Sequence, residues 1–215
     1  MLPLFRNLDS IEFHPQVTFI VGENGTGKST LLEAIAIALG FNPEGGTRNF
    51  LFSTRDSHSQ LHRNIRLVRG VKRPRDGFFL RAESFYNVAT QVDELLLNPY
   101  YGGRSLHEQS HGEAFFATFM DKFKGNGLYI LDEPEAALSP MRQMAMVSRI
   151  HDLVQQHSQF IIATHSPIIT GYPNAVILQI ANESIETVEY EATESYMIMK
   201  EFINNRKKML ELLLK

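Results

Sequence analysis

Ten residues near the start of the chain, Val21 to Thr30, read VGENGTGKST. Three glycines, a lysine and three hydroxyls in that space suit neither a strand nor a helix throughout. Gly22-Glu23-Asn24-Gly25-Thr26-Gly27-Lys28-Ser29 fits G-x-x-x-x-G-K-[ST], with the apolar run VTFIV before it and a helical pattern after it. Glycines let successive backbone N–H groups converge on one point, and the following helix adds its partial positive charge there. The fitting guest is a di- or triphosphate. Asn24, Gly25, Thr26, Gly27, Lys28, Ser29 and Thr30 are the expected nucleotide contacts, with Lys28 reaching the β- and γ-phosphates and Ser29 ligating Mg²⁺.

Hydrolysis needs more than a grip. Residues 128–133 read LYILDE, an apolar run ending in two acids. Strand ends in a parallel sheet face the ligand crevice, so Asp132 is expected at the Mg²⁺ hydration shell and Glu133 at the attacking water. ATHSP at 163–167 follows the apolar strand QFIIA and places His165 at the same crevice, in reach of a γ-phosphate. Ser110 and Gly112 open a further helix and form a second anion site. Ser110 lies 22 residues before Asp132, room for one helix and one strand. That site therefore does not easily serve the Lys28 phosphate within one chain, and a partner molecule is the expected source of its ligand.

Together these motifs resemble those of the ABC-type ATPases over most of the chain. GENGTGKST resembles the Walker A loop, SHGE the signature loop, LYILDEPEAALS the Walker B strand with its D-loop, and ATHSP the switch-histidine loop. The order agrees too, with 32 residues from Glu133 to His165. The wording is most similar to stand-alone predicted ATPases and to the heads of chromosome-maintenance and break-repair ATPases. The resemblance implies a head-to-tail homodimer with two ATP molecules between the subunits. Each would lie on one Lys28 loop and be capped by the other subunit's Ser110 and Gly112. It also implies Glu133 as catalytic base and His165 as switch. Three positions depart from the family pattern: His111 stands for a glycine, Ser139 for the D-loop aspartate, and Glu83 (in RAESF) for the glutamine facing Mg²⁺. Glu83 is carried as a metal-shell residue. An adenine-stacking group is expected upstream, with Phe13 and Arg6 as candidates.

Positioning these groups requires alternating strands and helices. Strands are expected at 17–21, at NIRLVRG and GFFLRA, at GLYILD and at QFIIAT, with AVILQI and SIETVEY as a closing hairpin. Helices are expected over 29–39, about 87–97, 111–123 and about 141–157, and an amphipathic stretch ends the chain. This pattern implies a single α/β domain over 1–215, a mainly parallel sheet flanked by helices. Small antiparallel and helical sections complete it, one antiparallel pair being expected between residues 64 and 82. The C-terminal stripe Tyr196, Met199, Phe202, Ile203, Leu210 and Leu213 is expected to pack on its own domain, with a partner-binding helix as the alternative.

The composition, 43% hydrophobic and 21% charged, excludes disordered and fibrous classes. No apolar run reaches the roughly 20 residues of a membrane span, and the start does not read as a signal peptide. The absence of cysteine excludes disulfides and thiolate metal sites and fits a cytoplasmic setting. Pairs His58/His62 and His107/His111 have helical metal spacing but no carboxylate at metalloprotease spacing. The net charge of −3 hides eight basic residues against one acid between Arg48 and Arg75. Two solvated faces of opposite charge explain that; a polyanion surface is the sharper reading. The functions open at this level are an ATP hydrolase driving an unknown protein partner, a DNA-maintenance ATPase, a transporter's nucleotide-binding subunit, and a nucleotide-gated binding module without turnover.

Overall fold

The computed structural model describes residues 3–6, 8–48, 59–101 and 103–214. Strand β1 (Val17–Val21) is buried at every position and leads through the glycine loop into α1 (Lys28–Ala38). Then come β2 (Asp76–Arg81), α2 (Phe85–Glu94), α3 (His111–Ala117) and β3 (Gly127–Asp132). The chain continues with α4 (Pro140–Gln155), β4 (Gln159–Ala163), α5 (Pro167–Thr170), β5 (Val176–Ala181) and β6 (Ser184–Val188), and closes with α6 (Glu194–Asn204) and α7 (Arg206–Leu213). Among the described residues the sheet has six strands in the order β2-β3-β4-β1-β5-β6, with only the β5–β6 hairpin antiparallel.

Side chains alternate across this sheet, as its pleat requires. Phe19, Val21, Phe78, Leu80, Tyr129, Leu131, Phe160 and Ile162 pack beneath α2, α3 and α4. Ile20, Phe79, Ile130, Ile161 and Ala163 pack on the opposite face beneath α1. Strands covered on both faces read as continuous apolar runs, which is why GLYILD and QFIIA are legible as strands. Each large side chain buried there contributes about 1.5–3 kcal/mol. The alternation also fixes the chemistry: with Leu80 and Leu131 beneath α2–α4, Arg81 and Asp132 fall on the α1 side.

Three expectations need correcting. Asn64–Gly70 is not a strand, and no antiparallel pair forms between 64 and 82; β2 runs parallel to β3. The free edge of β2 is met by Gly46, and the basic segment instead crosses the end of α1, where Arg69 donates to the Ala38 carbonyl. The helix expected over 111–123 is α-helical only to Ala117 and finishes as a π-turn, Thr118–Lys122. The C-terminal stripe does not bury itself. The chain breaks at Asn205 into α6 and α7, neither helix has a buried residue, and Met199, Ile203 and Leu213 are exposed.

Candidate nucleotide-binding site

The glycine loop leaves the end of β1 at Gly22, where φ is +146°. A β-carbon there would stand 2.5 Å from the Ile180 carbonyl oxygen, so β5 and the loop touch backbone to backbone. Lys28 is buried, and its Nζ donates to the carbonyls of Gly22 and Glu23, each at 2.8 Å. The loop is thus curled around its own ammonium, with Asn24 and Gly25 exposed at the rim. Burial holds the Lys28 pKa below its usual value, opposed by the carboxylates of Glu133, Asp132 and Glu135.

Ser29, in the first turn of α1, donates its hydroxyl to Asp132 Oδ1 at 3.0 Å. One turn further along, Glu33 Oε2 accepts from Arg81 Nη1 at 2.9 Å. Residues four apart share one helix face, and Arg81 pairs in register with Asp132 across β2 and β3. The two pairs therefore close into a square, with Arg81 Nε 3.3 Å from Asp132 Oδ2. Arg81 Nη2 donates to Glu83 Oε2 at 3.1 Å. Burial pushes the Asp132 carboxyl up to about 6; Arg81 and the Ser29 hydroxyl pull against that, while Glu133 and Glu83 add to it.

The donor set, a hydroxyl beside a carboxylate, suits the hard ion Mg²⁺, which takes one or two protein oxygens plus water and substrate phosphate. Among the described residues no three His, Asp or Glu side chains gather as a metal-holding group. Ser29 and Asp132 fit the ion only with phosphate oxygens completing its shell. Glu83 is reached through Arg81 and is largely exposed.

Glu133 follows Asp132 with φ +51°, a left-handed backbone uncommon for a side-chain-bearing residue and often found at functional sites. Its N–H is anchored to the Ala163 carbonyl at 2.9 Å, which turns the carboxylate into the crevice. There Oε1 lies 3.7 Å from His165 Nε2, a ring nitrogen with no hydrogen-bond partner. Behind them Glu135 accepts from the Thr164 hydroxyl at 2.7 Å and from the His165 N–H at 2.5 Å. Ser166 caps α5 and donates to Gln143 Oε1 at 2.6 Å, and Gln143 Nε2 reaches the Leu138 carbonyl.

Lys28, Ser29, Asp132, Glu133 and His165 thus share one end of the sheet. Ser110 and Gly112 start α3, where Glu113 closes a capping box onto the Ser110 hydroxyl and N–H. Gly112 is pressed on the loop after Glu133: a β-carbon would sit 2.3 Å from the Ala137 carbonyl oxygen. His111, the departure from glycine, is exposed and meets Phe85 edge-on. Ser139, the other departure, caps α4. Phe13 is half-buried against the α1-side core, and the Arg6 side chain lies outside the described residues. His58 also lies outside them; His107 contacts the Thr90 hydroxyl.

Sequence reasoning missed Arg81, Glu135, Gln143 and the α6 wall. Arg81 had a signal, a lone cation ending an apolar strand. Nothing local marks α6, whose Ser195, Ile198 and Met199 line a cavity of about 560 Å³ with Gly22, Asn24 and His165.

Two family models match the chain: an AAA domain over residues 4–90 and an AAA ATPase domain over residues 113–170. The DNA replication and repair protein RecF of Marinomonas sp. (strain MWYL1) is 36% identical over 114 residues, 44% of this chain and 30% of that protein. The chain spans less than a third of the length of that relative. Among solved structures, the SMC head domain from Thermotoga maritima is 18% identical, with a TM-score of 0.46, covering 83% of this chain and 92% of that one. CbiO1 from Clostridium perfringens, part of the ABC transporter complex cbiONQ, is 19% identical with a TM-score of 0.47, covering 96% and 90%. Two ATPase-domain models match in order along the chain, and its glycine loop, acids and histidine gather at one end of a parallel sheet, the arrangement of an ATPase.

Proposed function

We propose that the protein binds and hydrolyses Mg²⁺-ATP as a head-to-tail dimer, driving a protein partner through closure and release. The observation that carries this reading is the Ser29–Asp132 hydrogen bond, which joins residues 103 positions apart into one site. On this reading Lys28 leaves the Gly22 and Glu23 carbonyls for the β- and γ-phosphate oxygens, a stronger, charge-assisted pairing. Mg²⁺, held by Ser29 and Asp132, would supply charge neutralisation for the phosphates. Glu133 accepts a proton from water as the water oxygen attacks the γ-phosphorus. The bond to the bridging oxygen breaks, giving ADP and inorganic phosphate. His165 Nε2, unpartnered and facing Glu133, donates to a γ-phosphate oxygen. Ser110 and Gly112 of a second copy cap that phosphate, with the Glu113 carboxylate yielding its place on the Ser110 hydroxyl and N–H. Lys28→Ala should abolish nucleotide binding, whereas Glu133→Gln should bind and not turn over. Parent-rate hydrolysis by Glu133→Gln would remove Glu133 from its role.

A second reading, action on DNA, is favoured by one observation. Arg63, Arg66, Arg69, Lys72, Arg73 and Arg75 are all exposed, and Arg69 is close enough to Arg48 to help lower its pKa, after burial. Such a single-sign surface suits a phosphate backbone. Salt-sensitive DNA binding lost on neutralising Arg63, Arg66 and Arg69 supports it; salt-independent binding, or none, counts against it.

A further inference from the structure

Three carboxylates and a hydroxyl (Glu33, Glu83, Asp132 and Ser29) meet at the end of β2 and β3. Among the described residues they do not gather as a metal-holding group of their own; what the carboxylates share is Arg81. Arg81 reaches each carboxylate with a different nitrogen: Nη1 to Glu33 at 2.9 Å, Nη2 to Glu83 at 3.1 Å and Nε to Asp132 at 3.3 Å. Its side chain is only 16% exposed, and a guanidinium does not give up its proton in a protein. The Nε contact to Asp132 lacks hydrogen-bond geometry, leaving Nε buried without a donor's partner, so this is the weakest of the three attachments.

We propose that Arg81 is a resident counter-cation of the metal site, excluding a free divalent ion until nucleotide phosphates bring one in. The arrangement has the asymmetry this requires. Glu33 and Glu83 hold Arg81 through full hydrogen bonds, so Asp132 is the carboxylate it can release most easily. A bare divalent ion approaching Asp132 meets a fixed positive charge at the same carboxylate and the Lys28 ammonium nearby, and too few protein oxygens to complete its shell. A triphosphate on the Lys28 loop reverses both conditions, adding negative charge and phosphate oxygens. Arg81 then keeps Glu33 and Glu83 while Asp132 turns to the ion. It acts through Asp132 and is a positioning residue.

This inference rests on the nucleotide reading but is tested without turnover. Mn²⁺ is titrated into the full chain without nucleotide and followed by the loss of its free-ion electron paramagnetic resonance signal. The same titration is made with ADP present. The parent should take up Mn²⁺ only with ADP. Arg81→Met should bind Mn²⁺ alone at least about tenfold more tightly than the parent, since a repelling charge is gone from three acids. Arg81→Lys, which keeps the charge, should stay close to the parent. Arg81→Gln, which retains hydrogen-bond donors to Glu33 and Glu83, gives the same test should Arg81→Met not fold. Nucleotide-independent Mn²⁺ uptake by the parent, or folded neutral variants no tighter than the parent, would overturn the proposal. Failure of the parent to bind fluorescent ADP would instead sink the nucleotide reading.

Discussion

Glu135 holds Thr164: the threonine hydroxyl donates to one carboxylate oxygen at 2.7 Å, and the other oxygen accepts the N–H of His165 at 2.5 Å. Because Glu135 stands two residues after Glu133, it ties the loop carrying the proposed base to the loop carrying His165. Glu135→Ala should therefore lower kcat by about 10²-fold, the scale of a misplaced catalytic group. Nucleotide affinity should stay near the parent value, because Glu135 bonds the Thr164–His165 loop and is the least of the three carboxylates acting on Lys28. Steady-state kinetics separate the two; a rise in KM with kcat unchanged would contradict this role.

The start of α3 has no room for a side chain at Gly112, whose added β-carbon would meet the Ala137 backbone oxygen at 2.3 Å. Backbone cannot rotate away, so Gly112→Ala should cost about 1–3 kcal/mol. In a chain of this size that lowers Tm by about 2–4 °C per kcal/mol. Thermal unfolding without nucleotide measures it. An unchanged Tm would show that α3 and the loop after Glu133 are not in contact.

Asp132 gives the folded protein a pH signature. Its carboxyl is raised from 3.8 to about 6 by burial, so between those values the folded state holds a proton that the unfolded state releases. Stability from this group is greatest below pH 4, falls as pH rises to about 6, and is level above. A difference of that size corresponds to about 3 kcal/mol. Urea midpoints of parent and Asp132→Asn, compared from pH 4.5 to 7.5 without nucleotide or metal, should diverge in that direction. Parallel profiles would refute it.

The glycine loop and the buried strands were legible because each is local. GENGTGKS carries its own geometry, and strands covered on both faces are unbroken apolar runs whose ends locate Asp132 and His165. What the sequence concealed depends on register and on distant neighbours. Arg81 matters because β2 pairs beside β3, which places it against Asp132 and one helical turn of α1. Asn64–Gly70 has strand-like alternation, yet Gly46 meets the β2 edge and Val68 and Val71 stay exposed. The C-terminal stripe has helical spacing, but spacing alone does not say that Asn205 breaks it or that Ile198 and Met199 line the cavity beside the phosphate loop.

The basic segment invites its own check. Arg63, Arg66 and Arg69 stand exposed along one short stretch. If they contact phosphates, replacing all three with glutamine should reduce the slope of log affinity against log salt by about 0.9 for each contact on duplex DNA. ATP turnover without DNA should be unchanged. An unaltered slope would assign these residues to a solvated face.

Closure by a second copy is measured most directly by light scattering on Glu133→Gln, with and without Mg²⁺-ATP. The account predicts a monomer that becomes a dimer when nucleotide is added, and a nucleotide-loaded monomer once Ser110→Arg is introduced. A Glu133→Gln protein saturated with ATP that remains monomeric, or a dimer indifferent to Ser110→Arg, would contradict it.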